Sequence, residues 1–96
     1  MMDIEIRDEE DAPYGAFRAY DEQGALGSMV YVHSAPKVVI VQHTGILGRG
    51  RGQGVGRMLF HHLVAWARET NTKVVPQCPF TRKEFDKHPE TRDVLR

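Results

Sequence analysis

The nonapeptide GRGRGQGVG, residues 48–56, lies between an apolar segment, Val38–Val41, and an amphipathic helical pattern that begins near Gly54. Glycines let consecutive backbone N–H groups turn toward one point, and the start of a helix adds unpaired donors and the positive end of its dipole. A strand, a glycine loop and a helix in this order therefore predict a backbone site for phosphate.

Four segments before the loop predict an antiparallel meander, because they carry alternating or β-prone apolar residues and are separated by turn-forming ones. The last of them is the least polar, which predicts a central place in the sheet. The segments are marked by Ile4 and Ile6, by Tyr14, Phe17 and Tyr20 ahead of a turn at Asp21–Gly24, by Ala25–Val32, and by Val38–Thr44.

Beyond the loop, residues from Gly54 to about Thr70 predict a helix, since Val55, Met58, Leu59, Leu63 and Trp66 recur at helical spacing. Lys73–Val75, stopped by Pro76, predicts a strand parallel to Val38–Thr44, because a crossover helix joins the two. Thr81 is expected to cap a short last helix that carries Phe85, and Val94 and Leu95 to anchor the tail. The predicted class is α+β, with a mixed, mainly antiparallel sheet, a central crossover helix and a short C-terminal helix.

Size and charge limit the possible functions. Ninety-six residues predict one small domain, 1–96. Thirteen basic and thirteen acidic side chains cancel, so the overall balance favours neither nucleic acid nor an anionic membrane as partner. The lone Cys78 has no disulfide partner within the chain, and the N-terminus lacks the apolar run of a signal peptide or membrane span. A reducing, cytoplasmic location is expected.

Several phosphate-binding patterns can be tested against the loop. The nucleotide-triphosphate loop closes with a lysine and a hydroxyl residue, and neither follows Gly54 or Gly56. The dinucleotide fingerprint requires other glycine intervals and an acidic residue after the next strand, where this chain has Val75, Pro76 and Gln77. An arginine- and glycine-rich RNA-binding segment is normally longer and disordered, which makes it a less favoured alternative.

The remaining pattern, with Arg51, Gly54 and Gly56 opening a helix, resembles motif A of the GCN5-related N-acetyltransferases. His43 and Thr44 before the loop, and Pro76, Cys78 and Phe80 after the second parallel strand, resemble a small subfamily of acetyltransferase-like proteins. The likeness runs from about Val38 to the C-terminus. It implies an acyl-CoA-binding fold with acetyl-CoA as co-substrate and no metal.

The resemblance also implies where acetyl-CoA binds. Backbone groups near Ile46 and Leu47 are expected to contact the pantetheine arm, and the loop amides to hold the pyrophosphate, with arginine side chains adding complementary charge. The expected binding residues after Leu47 are Arg49, Arg51, Gly52, Gln53, Gly54, Val55, Gly56 and Arg57.

Cys78 and His43 are the candidate catalytic residues. In the family, the thioester lies where the two parallel strands separate, so Cys78 is placed near the transferring acyl carbon. A thiolate is a competent acyl acceptor, and His43 is a candidate base, either for Cys78 or for an amine that attacks the thioester directly. The alternatives are a small buried Cys78 that only fills space and a structurally hydrogen-bonded His43.

Three functional classes remain open at this point. The first is an acetyl-CoA-dependent N-acetyltransferase that acts on an exposed amine, such as a small molecule, a polyamine or a protein lysine. The short connection from Glu9 to Ala16 leaves no room for a helical arm over the acceptor, so an open acceptor side is expected. The others are a non-catalytic acyl-CoA-binding module and an interaction domain. The sequence does not indicate an oligomeric state.

Overall fold

The computed structural model describes residues 3–96 and contains a five-stranded sheet in the order β1-β2-β3-β4-β5. The first four strands form an antiparallel meander, and β5 pairs with β4 in parallel, which confirms the predicted mixed sheet. The strands are β1, Glu5–Asp11; β2, Tyr14–Asp21; β3, Gly24–Ala35; β4, Val38–Ile46; and β5, Lys73–Pro76.

The predicted crossover helix is α1, Val55–Thr70, with Gly54 as its N-cap. One face of α1 packs on the sheet and fully buries Leu59, Phe60 and Leu63. Each such side chain contributes about 1.5–3 kcal/mol relative to an exposed position. The predicted apolar stripe differs from the buried face at two positions. Met58, which was predicted to be buried, is 39% exposed, and Phe60, which was not part of the prediction, is fully buried.

The short C-terminal helix is α2, Pro79–Lys87, and its start differs from the prediction. Cys78, not Thr81, occupies the N-cap position, and Pro79 is the first helical residue, where its missing N–H has no cost. Thr81 therefore lies in the first turn of α2. Phe85 packs edge-on against Phe60 of α1, with ring centroids 4.9 Å apart, so the two helices share one core.

The C-terminal segment returns to the sheet as expected. A 3₁₀ helix, Pro89–Val94, follows α2, and Val94 is buried. The N–H of Arg96 donates to the carbonyl of Val74, and Leu95 forms an isolated bridge with Val74. Within residues 3–96, no helix has both the length and the apolar content that crossing a bilayer requires.

Candidate active site

The loop between β4 and α1 leads into the start of α1, where the first N–H groups have no acceptor within residues 3–96. Met58 makes the first helical hydrogen bond, to the carbonyl of Gly54 at 3.0 Å, so the N–H groups of residues 55–57 have no intrahelical partner. Gly54 adopts φ +74°, a left-handed conformation that favours glycine. No side chain caps the helix, and no acidic residue lies in its first turn. This end of α1 is therefore suited to an external anion.

A groove of about 400 Å³ opens in front of these N–H groups and runs between α1 and α2; we call it the loop–helix groove. It contains most of the residues that the sequence assigned to acetyl-CoA, together with others that it did not. The lining residues are Ile46, Gly50, Arg51, Gly52, Gly54, Val55, Gly56, Arg57, Phe80, Glu84 and Lys87.

The wall of the groove on α2 was not predicted from the sequence. Phe80, Glu84 and Lys87 follow one another at intervals of four and three residues, which places them on one face of the helix. This spacing was the available signal. Phe80 lies so close to α1 that a Cβ on Gly56 would be 2.8 Å from Cζ of its ring, so residue 56 must be small.

Glu84 gives this wall a negative group among cations. Its side chain is buried, its Oε1 has no hydrogen-bond partner, and its Oε2 lies 3.5 Å from Nζ of the exposed Lys87. Arg51 and Arg57 contribute positive charge from the opposite side of the groove. Neither guanidinium forms an ion pair or side-chain hydrogen bond within residues 3–96, so both are free to meet a phosphate.

Arg49, which the sequence also assigned to the phosphate, does not share this arrangement, because its guanidinium is engaged within the protein. Its guanidinium donates to the backbone carbonyls of Gly24 and Ala25 and to the Asp21 carboxylate, the last at 2.7 Å. The Arg49 hydrogen bond holds the pKa of Asp21 below its ordinary value. Arg49 therefore ties the glycine loop to the β2–β3 turn.

Two other residues assigned to acetyl-CoA also make hydrogen bonds within the protein. The N–H of Leu47 donates to the carbonyl of Leu26 at 2.8 Å, and the carbonyl of Leu47 accepts from the N–H of Gly50, also at 2.8 Å. The side chain of Gln53 donates to the carbonyl of Arg49 at 2.7 Å and braces the loop. Neither residue lines the loop–helix groove.

A β-bulge in β4 decides which faces His43 and Thr44 occupy. His43 pairs with Val30 and Val41 with Tyr31, which leaves Gln42 as the extra residue. Thr44 consequently pairs with the buried Met29 and joins the helix-covered face of the sheet. His43 is exposed on the opposite face, because neighbouring strand residues alternate.

His43 lies there in a second pocket, of about 310 Å³, which we call the His43 pocket. The polar side chains around it are those of Arg18 and Ser28, and Gly45 leaves room for the imidazole: a Cβ at that position would be 3.1 Å from Nε2. Ile46, at the end of β4, lines both this pocket and the loop–helix groove.

Cys78 lies on the helix-covered side of β4, where β5 separates from it. The N–H groups of Gln77 and Cys78 both donate to the carbonyl of Val41, which marks the last contact between these strands. The Cys78 thiol is buried and lies 3.5 Å from Oγ1 of Thr44. No hydrogen bond joins it to His43, so the two candidate catalytic residues are not a hydrogen-bonded pair in the structure.

The environment of Cys78 favours the thiolate. Burial raises the pKa of the Cys78 thiol, but the nearby Thr44 hydroxyl, the backbone and side chain of Thr81 and, to a smaller extent, the backbone of Phe80 favour the thiolate and outweigh burial. The pKa therefore lies below its ordinary value. Within residues 3–96, no cluster of three or more His, Cys, Asp or Glu side chains is arranged to hold a metal ion.

Comparison with known proteins identifies the family. Residues 16–94 match the family described as GCN5-related N-acetyl-transferase, and the chain belongs to it. The match includes the loop–helix groove, the His43 pocket and Cys78. Family membership and the fold support an acyltransferase role. A search of curated proteins found no match.

Solved structures show the same fold. A GCN5-like protein from Staphylococcus aureus is 28% identical, with a TM-score of 0.68 over 94% of this chain and 87% of that one. The ribosomal-protein-alanine N-acetyltransferase of Brucella melitensis biovar Abortus is 22% identical, with a TM-score of 0.64 over 81% of this chain and 62% of that one. An IAA acetyltransferase from Bacillus cereus is 16% identical, with a TM-score of 0.61 over 91% of this chain and 75% of that one. The chain thus spans less than two thirds of the Brucella enzyme.

Proposed function

We propose that residues 1–96 form one minimal acyl-CoA-binding domain that transfers an acetyl group from acetyl-CoA to an exposed amine. The observation that carries this proposal is the uncapped start of α1, whose free N–H groups open onto the loop–helix groove beside Arg51 and Arg57. Several N–H donors and two guanidinium groups suit a pyrophosphate without a metal. The lone thiol fits a cytoplasmic setting.

In the proposed reaction, acetyl-CoA and the amine approach β4 from opposite faces of the sheet. The loop–helix groove holds the co-substrate on the face of Thr44 and Cys78, and the thioester of acetyl-CoA supplies the activated acyl group. The His43 pocket receives the amine from the other face. The amine nitrogen bonds to the acyl carbon, the carbon–sulfur bond breaks, and His43 takes the proton lost by nitrogen while CoA leaves as its thiolate.

The acceptor side is open in the way that an exposed amine requires. Only Ala12 and Pro13 separate β1 from β2, so no helical arm stands between these strands to enclose a substrate. A protruding primary amine fits this surface, whether it belongs to a small molecule, a polyamine or a protein lysine. His43 within the pocket is the proposed base.

A second route passes through Cys78, and the contact between its sulfur and the Thr44 hydroxyl favours it. In this route the Cys78 thiolate bonds to the acyl carbon, CoA leaves, and the amine then displaces the cysteine sulfur, with His43 accepting the amine proton from the opposite face. Both routes give the same amide and free CoA. They differ in whether an acetyl group resides on Cys78.

The test is release of CoA from acetyl-CoA in the presence of spermidine, a lysine peptide or a small primary amine, with wild type, His43→Gln and Cys78→Ala compared. Direct transfer predicts that H43Q lowers turnover and C78A does not. Transfer through Cys78 predicts that both variants lose turnover while acetyl-CoA still binds. Binding without turnover by any amine indicates a non-catalytic module, and absence of binding indicates an interaction domain.

A further inference from the structure

The hydroxyl of Thr81 is the most conspicuous unused polar group near the site. Thr81 is fully buried, and its Oγ1 has no hydrogen-bond partner. Burying a hydroxyl without a partner is unfavourable, so such a group indicates a partner that is present only in another state of the site. Thr81 lies in the first turn of α2, three residues after Cys78.

The helix start places the Cys78 sulfur opposite several donors. Cys78 is the N-cap of α2, the position whose side chain faces the free N–H groups of the second and third helical residues, Phe80 and Thr81. Pro79 has no N–H to contribute. On its other side, the sulfur lies 3.5 Å from the Thr44 hydroxyl. A neutral thiol makes no capping hydrogen bond here.

We propose that Thr81 is a positioning residue that stabilises Cys78 as a thiolate, with Thr44 donating from the opposite side. Loss of the thiol proton makes the sulfur a full acceptor, and the unpartnered hydroxyl then gains its missing bond. This inference rests on the proposed role of Cys78 in acyl transfer. In that role, the sulfur bonds to the acyl carbon as the CoA sulfur departs with the electron pair of the broken bond.

The direction of the thiol pKa agrees with this arrangement. Burial opposes the thiolate, but the neighbouring hydroxyls of Thr44 and Thr81 and the backbone of Thr81 and Phe80 favour it, so the pKa of the Cys78 thiol lies below its ordinary value. A helix N-terminus is a known means of producing a reactive cysteine, and hydroxyl donors add hydrogen bonds that favour the charged form. Thr81 is thereby expected to control the nucleophile without contacting the substrate.

The test is a pH titration of the thiolate by its ultraviolet absorbance, without acetyl-CoA. Cys78 is the only cysteine, so the absorbance change of the C78S variant gives the tyrosine contribution that has to be subtracted. Thr81→Val keeps the shape of the side chain and removes the hydroxyl, and Thr81→Ser restores it. We expect T81V to raise the midpoint of the titration and T81S to return it toward wild type. A midpoint that rises by about one pH unit lowers the thiolate fraction at neutral pH about tenfold.

Alkylation by iodoacetamide provides a second readout. The limiting rate at high pH reports access to the sulfur, whereas the midpoint reports how strongly the thiolate is stabilised. Because T81S keeps the hydroxyl, loss of this donor predicts a midpoint that moves in T81V and stays near wild type in T81S, whereas a general loosening of the helix start would move it in both variants. An unchanged midpoint in T81V, or a wild-type thiol that titrates like a free cysteine, overturns the proposal. If T81V does not fold, Thr81→Ala removes the same hydroxyl, and Thr44→Val tests the group on the opposite side of the sulfur.

Failure of this inference is separable from failure of the proposed function. The titration uses no acyl donor, so an ordinary thiol pKa leaves direct transfer to an amine intact. Conversely, if the protein shows no turnover but T81V raises the midpoint, the result supports stabilisation of the thiolate by Thr81 and contradicts only the enzyme assignment.

Discussion

Gly56→Ala tests the close approach of α2 to the start of α1, which shapes the loop–helix groove. A Cβ at residue 56 would lie 2.8 Å from Cζ and 3.2 Å from Cε1 of Phe80. The ring must move by several tenths of an ångström to accommodate it. Phe80 is half-buried and lines the groove, so the ring has room to turn toward the space proposed for acetyl-CoA.

The expected change in the free energy of unfolding in G56A is the sum of two opposing contributions. Overpacking costs about 1–3 kcal/mol, and a ring with room to move places this contact near 1 kcal/mol. Alanine in place of glycine stabilises a helix by up to about 1 kcal/mol. The two terms nearly cancel, so G56A alone is expected to change the free energy of unfolding by less than about 1 kcal/mol. Stability of the single variant is therefore a poor test.

A double-mutant cycle with Phe80→Leu separates the terms. Without the ring, G56A retains only its helix gain and is expected to stabilise the protein by up to about 1 kcal/mol. The coupling between the two substitutions is then the lost contact cost, about 1 kcal/mol. Urea unfolding of the four proteins measures it. An equal effect of G56A in both backgrounds would refute the contact as the reason for glycine. Acetyl-CoA affinity, measured in parallel, should fall in G56A and recover partly in the double variant.

Three further predictions concern charges near the loop. Arg51→Ala and Arg57→Ala should each weaken acetyl-CoA binding about fivefold, or about 1 kcal/mol for an exposed charge-assisted contact, and calorimetry at low and high salt should show the loss shrinking with salt. Arg49→Met should leave this affinity unchanged, and a loss as large as that of R51A would return Arg49 to the phosphate site. The pairing of Arg49 with Asp21 lowers the Asp21 pKa in the folded state, so the stability advantage of wild type over R49M should be complete at neutral pH and shrink as the pH falls below about 4. Chemical unfolding across that range checks it, and an advantage that grows on acidification contradicts the pairing.

The fold was predictable because its signals are local. Alternating or apolar segments predicted the strands, and the helical spacing of apolar residues from Val55 to Trp66 predicted α1. The glycines at 54 and 56 indicated where this helix begins. The parallel pairing of β4 and β5 followed from the crossover. These features depend on neighbouring residues in sequence, which periodicity can detect.

The site was only partly predictable because its details depend on register and distant contacts. The bulge at Gln42 reverses the faces of His43 and Thr44, and strand alternation alone does not reveal an extra residue. Arg49 resembles the other loop arginines in sequence, but its partners lie in the β2–β3 turn. Glu84 joins the groove only because α2 packs beside the start of α1.

The central claim is that acetyl-CoA binds in the loop–helix groove. The most direct measurement is the change in backbone amide chemical shifts of the ¹⁵N-labelled protein during titration with acetyl-CoA, with ATP as the control. Binding in this groove predicts saturable shifts concentrated at residues 51–57 and at Phe80, Glu84 and Lys87, with little change around Glu10 and Tyr14. Absence of saturable shifts, equal shifts with ATP, or shifts confined to the β1–β2 end of the sheet would contradict it.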